Sequence, residues 1–217
     1  MRIAVSGSQA TGKSTFIQDF IKEYPMYKMN KVNYRELVKS KGLGLNKKGS
    51  EASQEIILNS LLDEVMNAPS KCNIIFDRCT LDNIVHTLWL KEKYPDRISD
   101  NFLRKSIELH KQATKFYDII FFIPITKYDK IPVESKENRE TDLIYRDEIN
   151  NIFNAIMKTY HQKSSGFFDM RDCPAIIEIF GSREERVQMA KFYIDPKTGD
   201  QYGEDDDLIS KATLLNP

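Results

Sequence analysis

Gly7-Ser8-Gln9-Ala10-Thr11-Gly12-Lys13-Ser14 matches the pattern G-x-x-x-x-G-K-S/T in full. A short β-type run, Ile3–Ser6, precedes it. Phe16, Ile17, Phe20 and Ile21 follow at helical spacing, and Pro25 closes that segment. Strand, glycine-bounded turn and helix in this order make a cradle for phosphate groups. Successive backbone N–H groups converge on an anion, the glycines allow close approach, and the helix N-terminus adds partial positive charge. Lys13 is expected to reach the outer phosphates of a polyphosphate as a point charge. Ser14 is expected to ligate Mg2+ and Thr15 to meet the innermost phosphate. An ordinary glycine-containing turn would also join a strand to a helix, but it would not call for a lysine after the second glycine.

The alternation of strand and helix continues outward from this segment. Met26–Val32 reads as a second, less regular strand, and Lys41–Asn46 as a loop. Ser50 is placed to cap a helix running to about Met66, with Ile57, Leu58, Leu61, Leu62 and Val65 on one side. Asn73–Asp77 is an apolar run ending in an acid, as expected of a strand covered on both faces. Leu81, Ile84, Val85, Leu88 and Trp89 form the next helical stripe, and Ser99–Tyr117 another helix. Asp118–Ile123 is a second buried strand. The highly charged stretch Thr126–Glu140 reads as exposed. A helical stripe from Ile149 to Tyr160, a last strand at Ala175–Phe180 and a short helix at Arg183–Tyr193 complete the order.

This pattern predicts an α/β chain with three layers: a central parallel sheet of about five strands between helices, plus a helical lid, on the P-loop NTPase plan. Residues 1–193 are expected to form the P-loop domain, with the lid at about 126–147. Residues 194–217, which include Glu204-Asp205-Asp206-Asp207, are expected to form an arm or tail. Ligands of such sheets lie beyond the carboxyl ends of the strands.

Composition narrows the functional classes. The chain has 217 residues, with 32 Lys+Arg balanced by 32 Asp+Glu. Zero formal charge argues against a tail-driven grip on nucleic acid, which needs surplus cations to displace counterions, although a local basic groove stays open. An apolar fraction of 41% is enough for a core. No apolar run approaches the roughly 20 residues of a membrane helix, and the N-terminus enters a strand without a secretory leader pattern, so a cytoplasmic protein is expected. Cys72, Cys79 and Cys173 are scattered and read as reduced thiols, not as a disulfide frame or a zinc site. His86, His110 and His161 lie within helical stripes, share no metal spacing, and read as structural.

Several residues outside the glycine loop are candidates for chemistry. Asp77 ends the strand expected beside the first, close to where Mg2+ would sit. It could hold the ion and take up a proton; the bland alternative is a helix cap. Arg78 follows where hydrolytic P-loop machines commonly carry a glutamate. A guanidinium there suits a second phosphate group, which favours transfer over hydrolysis. Asp82 could bind a sugar or orient Arg78, or merely lie on the surface early in a helix. Arg139 and Arg146 are two turns apart on the segment expected to form the lid, where two guanidiniums can close over a transferring phosphoryl group; the bland alternative is surface ion pairing. Tyr34 and Arg35 follow the second strand. Tyr34 could stack on a base and Arg35 bind a phosphate or hydroxyl, or both could be plain surface residues.

Together, IAVSGSQATGKST, IIFDRCTLD, ENRETDLIYRDEI and EIFGSREERV resemble the stand-alone P-loop nucleoside and nucleotide kinases. The nearest look is to the AAA-domain group that includes NadR-type nicotinamide riboside kinase domains. Thymidylate kinases are more distant relatives, and small proteins of this look are frequent in bacteriophages. The resemblance covers most of residues 1–192. It implies ATP contacts across Gly7, Ser8, Gln9, Ala10, Thr11, Gly12, Lys13, Ser14 and Thr15, with Mg2+ held at Ser14 and Asp77. It implies catalysis by Lys13, Asp77, Arg139 and Arg146, and acceptor contacts at Tyr34, Arg35, Arg78 and Asp82. Gly181-Ser182 would lie near the adenine. Such relatives often carry an acid after the second strand; here Lys31-Val32-Asn33-Tyr34 precede Arg35.

The expected function is therefore a kinase that uses ATP and Mg2+ to phosphorylate a nucleoside or nucleotide. A second reading is a kinase acting on DNA or RNA through a groove with Lys39, Lys41, Lys47 and Lys48. A third is a nucleotide-binding switch or ATPase module with a protein partner. The small-molecule acceptor is favoured over nucleic acid; no membrane partner is expected, and a homodimer stays open.

Overall fold

Ile3, Ala4 and Val5 are wholly buried, as a strand covered on both faces requires. They belong to β1 (Arg2–Ser6), the centre of a five-stranded sheet. The computed structural model describes residues 1–30, 33–69, 71–126, 142–160, 162, 165–169 and 171–202. The other strands are β2 (Lys28–Asn30), β3 (Ile74–Asp77), β4 (Ile119–Phe122) and β5 (Ala175–Glu178), in the order β2-β3-β1-β4-β5. Every pairing is parallel, with Val5 beside Asp77 and Ser6 beside Phe122. This is the α/β architecture expected from the sequence.

The helices are α1 (Lys13–Glu23), α2 (Tyr34–Ser40), α3 (Glu51–Met66), α4 (Thr80–Lys93), α5 (Asp100–Thr114), α6 (Leu143–Met157) and α7 (Arg183–Lys191). Alternation along the strands sends side chains to two separate cores. Ile3, Val5, Ile75, Ile119 and Phe121 pack with Phe16, Ile17 and Phe20 of α1 and Ala190 of α7. Ala4, Phe76, Ile120 and Phe122 pack with Leu58 of α3, Leu81 and Val85 of α4, Phe102 of α5 and Phe153 of α6. These are the outer layers on either side of the sheet.

Local chemistry sets the helix starts. Ser50 caps α3 by accepting from the Ser53 N–H, while the Ser53 hydroxyl accepts from the Ser50 N–H at 2.8 Å. Ser99 caps α5 by accepting from the Phe102 N–H, and Asp142 caps α6 by accepting from the Tyr145 N–H. The Asp142 cap starts α6 six residues before the apolar stripe that signals it. Short α2 is an element the sequence pattern does not announce. Only Val38 is buried in it, packed with Ile57 and Leu61 of α3. Packing on α3, not its own periodicity, makes it a helix.

Beyond α7 the chain turns back along the α1 side. Ile194 and Gln201 form an antiparallel bridge, the Tyr24 hydroxyl donates to the Ile194 carbonyl at 3.0 Å, and the Tyr27 hydroxyl donates to Gly199 at 2.6 Å. Among the described residues, no helix is long and apolar enough to cross a membrane. Most of the segment expected to form the lid, and the tail from 203 onward, lie outside the described residues.

Candidate active site

β1 is flanked by β3 on one side and β4 on the other, and chain order reverses there, so a crevice opens at the carboxyl ends of the strands. The glycine loop crosses this crevice. Gly7 (φ 142°), Ala10 (φ 56°) and Gly12 (φ 87°) have positive φ, which curls the backbone into a concave turn before α1. Gly7 also allows a close approach to β4: a Cβ there would stand 2.5 Å from the Ile123 carbonyl oxygen.

A cavity of about 500 Å3 opens in front of the loop. Residues 9–15 form one wall, and Asp77 and Arg78 form the floor at the end of β3. The opposite side is built from Asn33, Tyr34 and Arg35 at the start of α2, Leu45, Asn46 and Lys48, the α3 side chains Gln54, Ile57 and Leu61, and the α4 side chains Asp82, Asn83 and His86. Tyr34, Arg35, Arg78 and Asp82, chosen from the sequence, thus share one cavity with Lys13, Ser14, Thr15 and Asp77. Gly7 and Ser8 do not line it and hold the loop from behind. Both of their carbonyls accept from Lys13 Nζ, at 2.7 and 2.5 Å, and the Ser8 hydroxyl donates to the Arg146 carbonyl at 2.8 Å.

Lys13 is buried, and that burial, with Arg78 close by, lowers its pKa to about 7. An anionic ligand in the cradle would reverse this by favouring the ammonium. Asp77 Oδ2 accepts from the Ser14 hydroxyl at 3.3 Å. A hydroxyl and a carboxylate meeting at the mouth of a phosphate cradle fit Mg2+, which commonly takes one or two protein oxygens and fills its shell with phosphate and water. Among the described residues there is no three-residue His/Cys/Asp/Glu cluster, so such an ion would depend on its nucleotide.

Asp82 is no surface residue. It is 1% exposed. One carboxylate oxygen accepts from the Ser6 hydroxyl at 2.8 Å and the Cys79 N–H at 3.1 Å, and the other from Arg78 Nη1 at 3.1 Å. It therefore satisfies the start of α4 and fixes Arg78 across the floor. Arg78 has φ 104°, outlying for a non-glycine residue, and this contact network holds it there.

Arg146 is buried behind the glycine loop and does not line the cavity. Its Nε has no hydrogen-bond partner among the described residues, although the residue is only 8% exposed. Arg139 lies outside the described residues. Of the four lysines considered for a nucleic-acid groove, Lys47 is ion-paired with Asp142, Lys48 lines the cavity, and Lys39 and Lys41 are exposed.

Sequence reasoning passed over four contributors. Gln54 Oε1 accepts from Asn83 Nδ2 at 2.8 Å, and Asn83 Oδ1 is buried in the cavity wall without a partner among the described residues. His86 Nδ1 shares a 2.7 Å hydrogen bond with the Tyr145 hydroxyl; burial lowers its pKa to about 3, so its ring is neutral. Arg186 binds the Gly181 carbonyl through Nε at 2.9 Å and the Thr11 carbonyl through Nη1 at 2.7 Å, tying α7 to the glycine loop. Ser182 caps α7, and neither it nor Gly181 lines the cavity. Helical spacing marked these positions only as members of helices; facing elements far away in sequence make them part of a site.

No protein-family model and no curated protein matches the chain. Solved structures do. Deoxyadenosine kinase from M. mycoides with bound dATP superimposes at a TM-score of 0.62 and 18% identity, covering 88% of this chain and 98% of that one. The same kinase with products dCMP and a flexible dCDP gives 0.58 at 16% identity, covering 88% and 97%. NadR protein in complex with NR gives 0.60 at 12% identity, covering 88% of this chain and 51% of that one. The chain thus shares the α/β fold of these proteins.

Proposed function

We propose that this chain is a kinase that transfers the γ-phosphoryl group of ATP to a nucleoside or nucleotide with the aid of Mg2+. The observation that carries the reading is the meeting of a complete phosphate cradle with an acceptor-sized cleft. The cavity joins residues 9–15 to Arg78, Asp82 and Asn83 within about 500 Å3, a volume suited to a small molecule. The fold likeness to deoxyadenosine kinase and NadR supports it. Residues 1–193 would form the catalytic unit, with residues near 126–147 closing over it and 194–217 as an arm.

Phosphoryl transfer is mainly positioning and charge neutralisation. Loop amides and Lys13 hold the donor phosphates. Ser14 and Asp77 would hold Mg2+, which when bound would supply positive charge to neutralise the phosphates. Arg78, steadied by Asp82, orients the acceptor on the floor. Arg146, with Arg139, supplies positive charge to the group in flight. Arg78, not a carboxylate, stands directly after Asp77, and Asp82 further on is committed to Ser6, Cys79 and Arg78, which favours a bound acceptor over hydrolysis.

The test is ADP release from Mg-ATP with nucleosides, nucleotides, DNA and RNA offered in turn. Acceptor-dependent ADP with small molecules is expected. Stimulation by polynucleotide alone, or slow turnover indifferent to acceptor, would reject the reading.

A further inference from the structure

The acceptor half of the cavity is rich in cations and poor in bases. Arg35 and Lys48 line it opposite the glycine loop, and Arg78 crosses its floor. Arg35 and Lys48 have no ion-pair partner among the described residues. Of the described residues lining the cavity, only Asp77 and Asp82 are carboxylates. Asp82 is committed to Ser6, Cys79 and Arg78, and Asp77 stands beside Ser14 at the expected ion position. His86 is the remaining titratable base in the wall. It is engaged with Tyr145 and faces the positive charges of Arg78, Lys13 and Arg35, which oppose its protonation. After β2, Asn33, Tyr34 and Arg35 place an amide, a phenol and a guanidinium, with no acid among them.

These two features favour different acceptors. A sugar hydroxyl must lose a proton as it attacks, which requires a general base within reach. A phosphate monoester is already anionic near neutral pH, with its second pKa near 6, and requires positive charge instead.

Building on the kinase reading, we infer that the acceptor is a nucleoside 5′-monophosphate held through its phosphate by Arg35 and Lys48, and not a nucleoside hydroxyl. In the step, an acceptor phosphate oxygen forms a bond to the γ-phosphorus of ATP, and the bond from that phosphorus to the β–γ bridging oxygen breaks. The electron pair leaves with ADP. No proton transfer is needed, which matches the described part of the wall, where Asp77 stands beside Ser14, Asp82 is committed to its own partners and His86 is engaged with Tyr145.

The experiment compares each common nucleoside with its own 5′-monophosphate, ribo and deoxy, as acceptors from radiolabelled Mg-ATP, with products separated. At least one monophosphate is expected to exceed its nucleoside in kcat/KM by about a hundredfold, the size of two charge-assisted contacts at roughly tenfold each. Arg35→Ala and Lys48→Ala, both at exposed positions and so compatible with folding, are each expected to raise KM for the monophosphate about tenfold while KM for ATP stays within about twofold. Nucleosides preferred over monophosphates, or silent variants, would overturn the inference and leave the kinase reading standing. ADP formation with neither series would overturn both.

Discussion

Replacing Asp82 with Asn should destabilise the fold and loosen the acceptor end of the cavity together. The carboxylate is almost fully buried and receives four hydrogen bonds, from the Ser6 hydroxyl, the Cys79 N–H, the Cys79 thiol and the Arg78 guanidinium, whose side chain is 12% exposed. Asn keeps an oxygen for the Ser6 hydroxyl and the Cys79 N–H but turns an NH2 group toward Arg78. A charge-assisted bond becomes a donor–donor contact, and the arginine is left with one acid fewer. Breaking a buried ion pair from one side costs about 3–5 kcal/mol, and the surviving bonds put this case near the lower end, at about 3 kcal/mol. For a chain of this length that lowers Tm by roughly 6–12 °C. Trp89, the only tryptophan, is buried among Leu90, Tyr145 and their neighbours, so its fluorescence reports urea unfolding directly. Acceptor KM should rise more than ATP KM, because the bond that Asn loses is the one to Arg78, while the bond to Ser6 beside the loop is kept. Asp82→Ala should cost more, since it also strands the Ser6 and Cys79 donors. A loss below about 1 kcal/mol in Asp82→Asn, with acceptor KM unaltered, would refute the positioning role.

Three further outcomes are expected. Burial holds Lys13 at about 7 against an ordinary 10.5, so the folded chain bears the full cost of that charge below pH 7 and is relieved as pH rises toward the unfolded value. Urea unfolding should therefore show wild-type stability climbing between pH 7 and 10 relative to Lys13→Met, which should also transfer no phosphoryl group. Arg146→Ala should lower kcat by about a hundredfold or more with a smaller change in ATP affinity in steady-state assays; a silent substitution would reject its role at the transferring group. Gly7→Ala should destabilise by several kcal/mol in the same unfolding assay, because its Cβ would press into the Ile123 carbonyl at a φ of 142°.

Much of the fold is legible in local sequence. The runs Ile3–Ser6, Asn73–Asp77, Asp118–Ile123 and Ala175–Phe180 locate four strands to within two residues; the first three are covered on both faces and read as nearly unbroken apolar segments, while the edge strand β5 is half-buried and carries Glu178. Ser50 and Ser99 mark helix starts for an equally local reason: each satisfies an orphan N–H within three residues. The α2 helix escapes because a single buried Val38 carries no periodicity.

For the site, the division follows the range of the interactions. The glycine loop is specified by eight consecutive residues, since a backbone cradle is built from neighbouring amides, and its phosphate chemistry can be read from them alone. Whether Asp82 was a surface acid or a buried anchor, whether His86 and Asn83 were packing or cavity wall, and that Arg186 ties α7 to Thr11 depended on residues up to 175 positions apart. Side-chain burial and charge balance are properties of what folds against a residue from elsewhere, so only the tertiary structure could decide them.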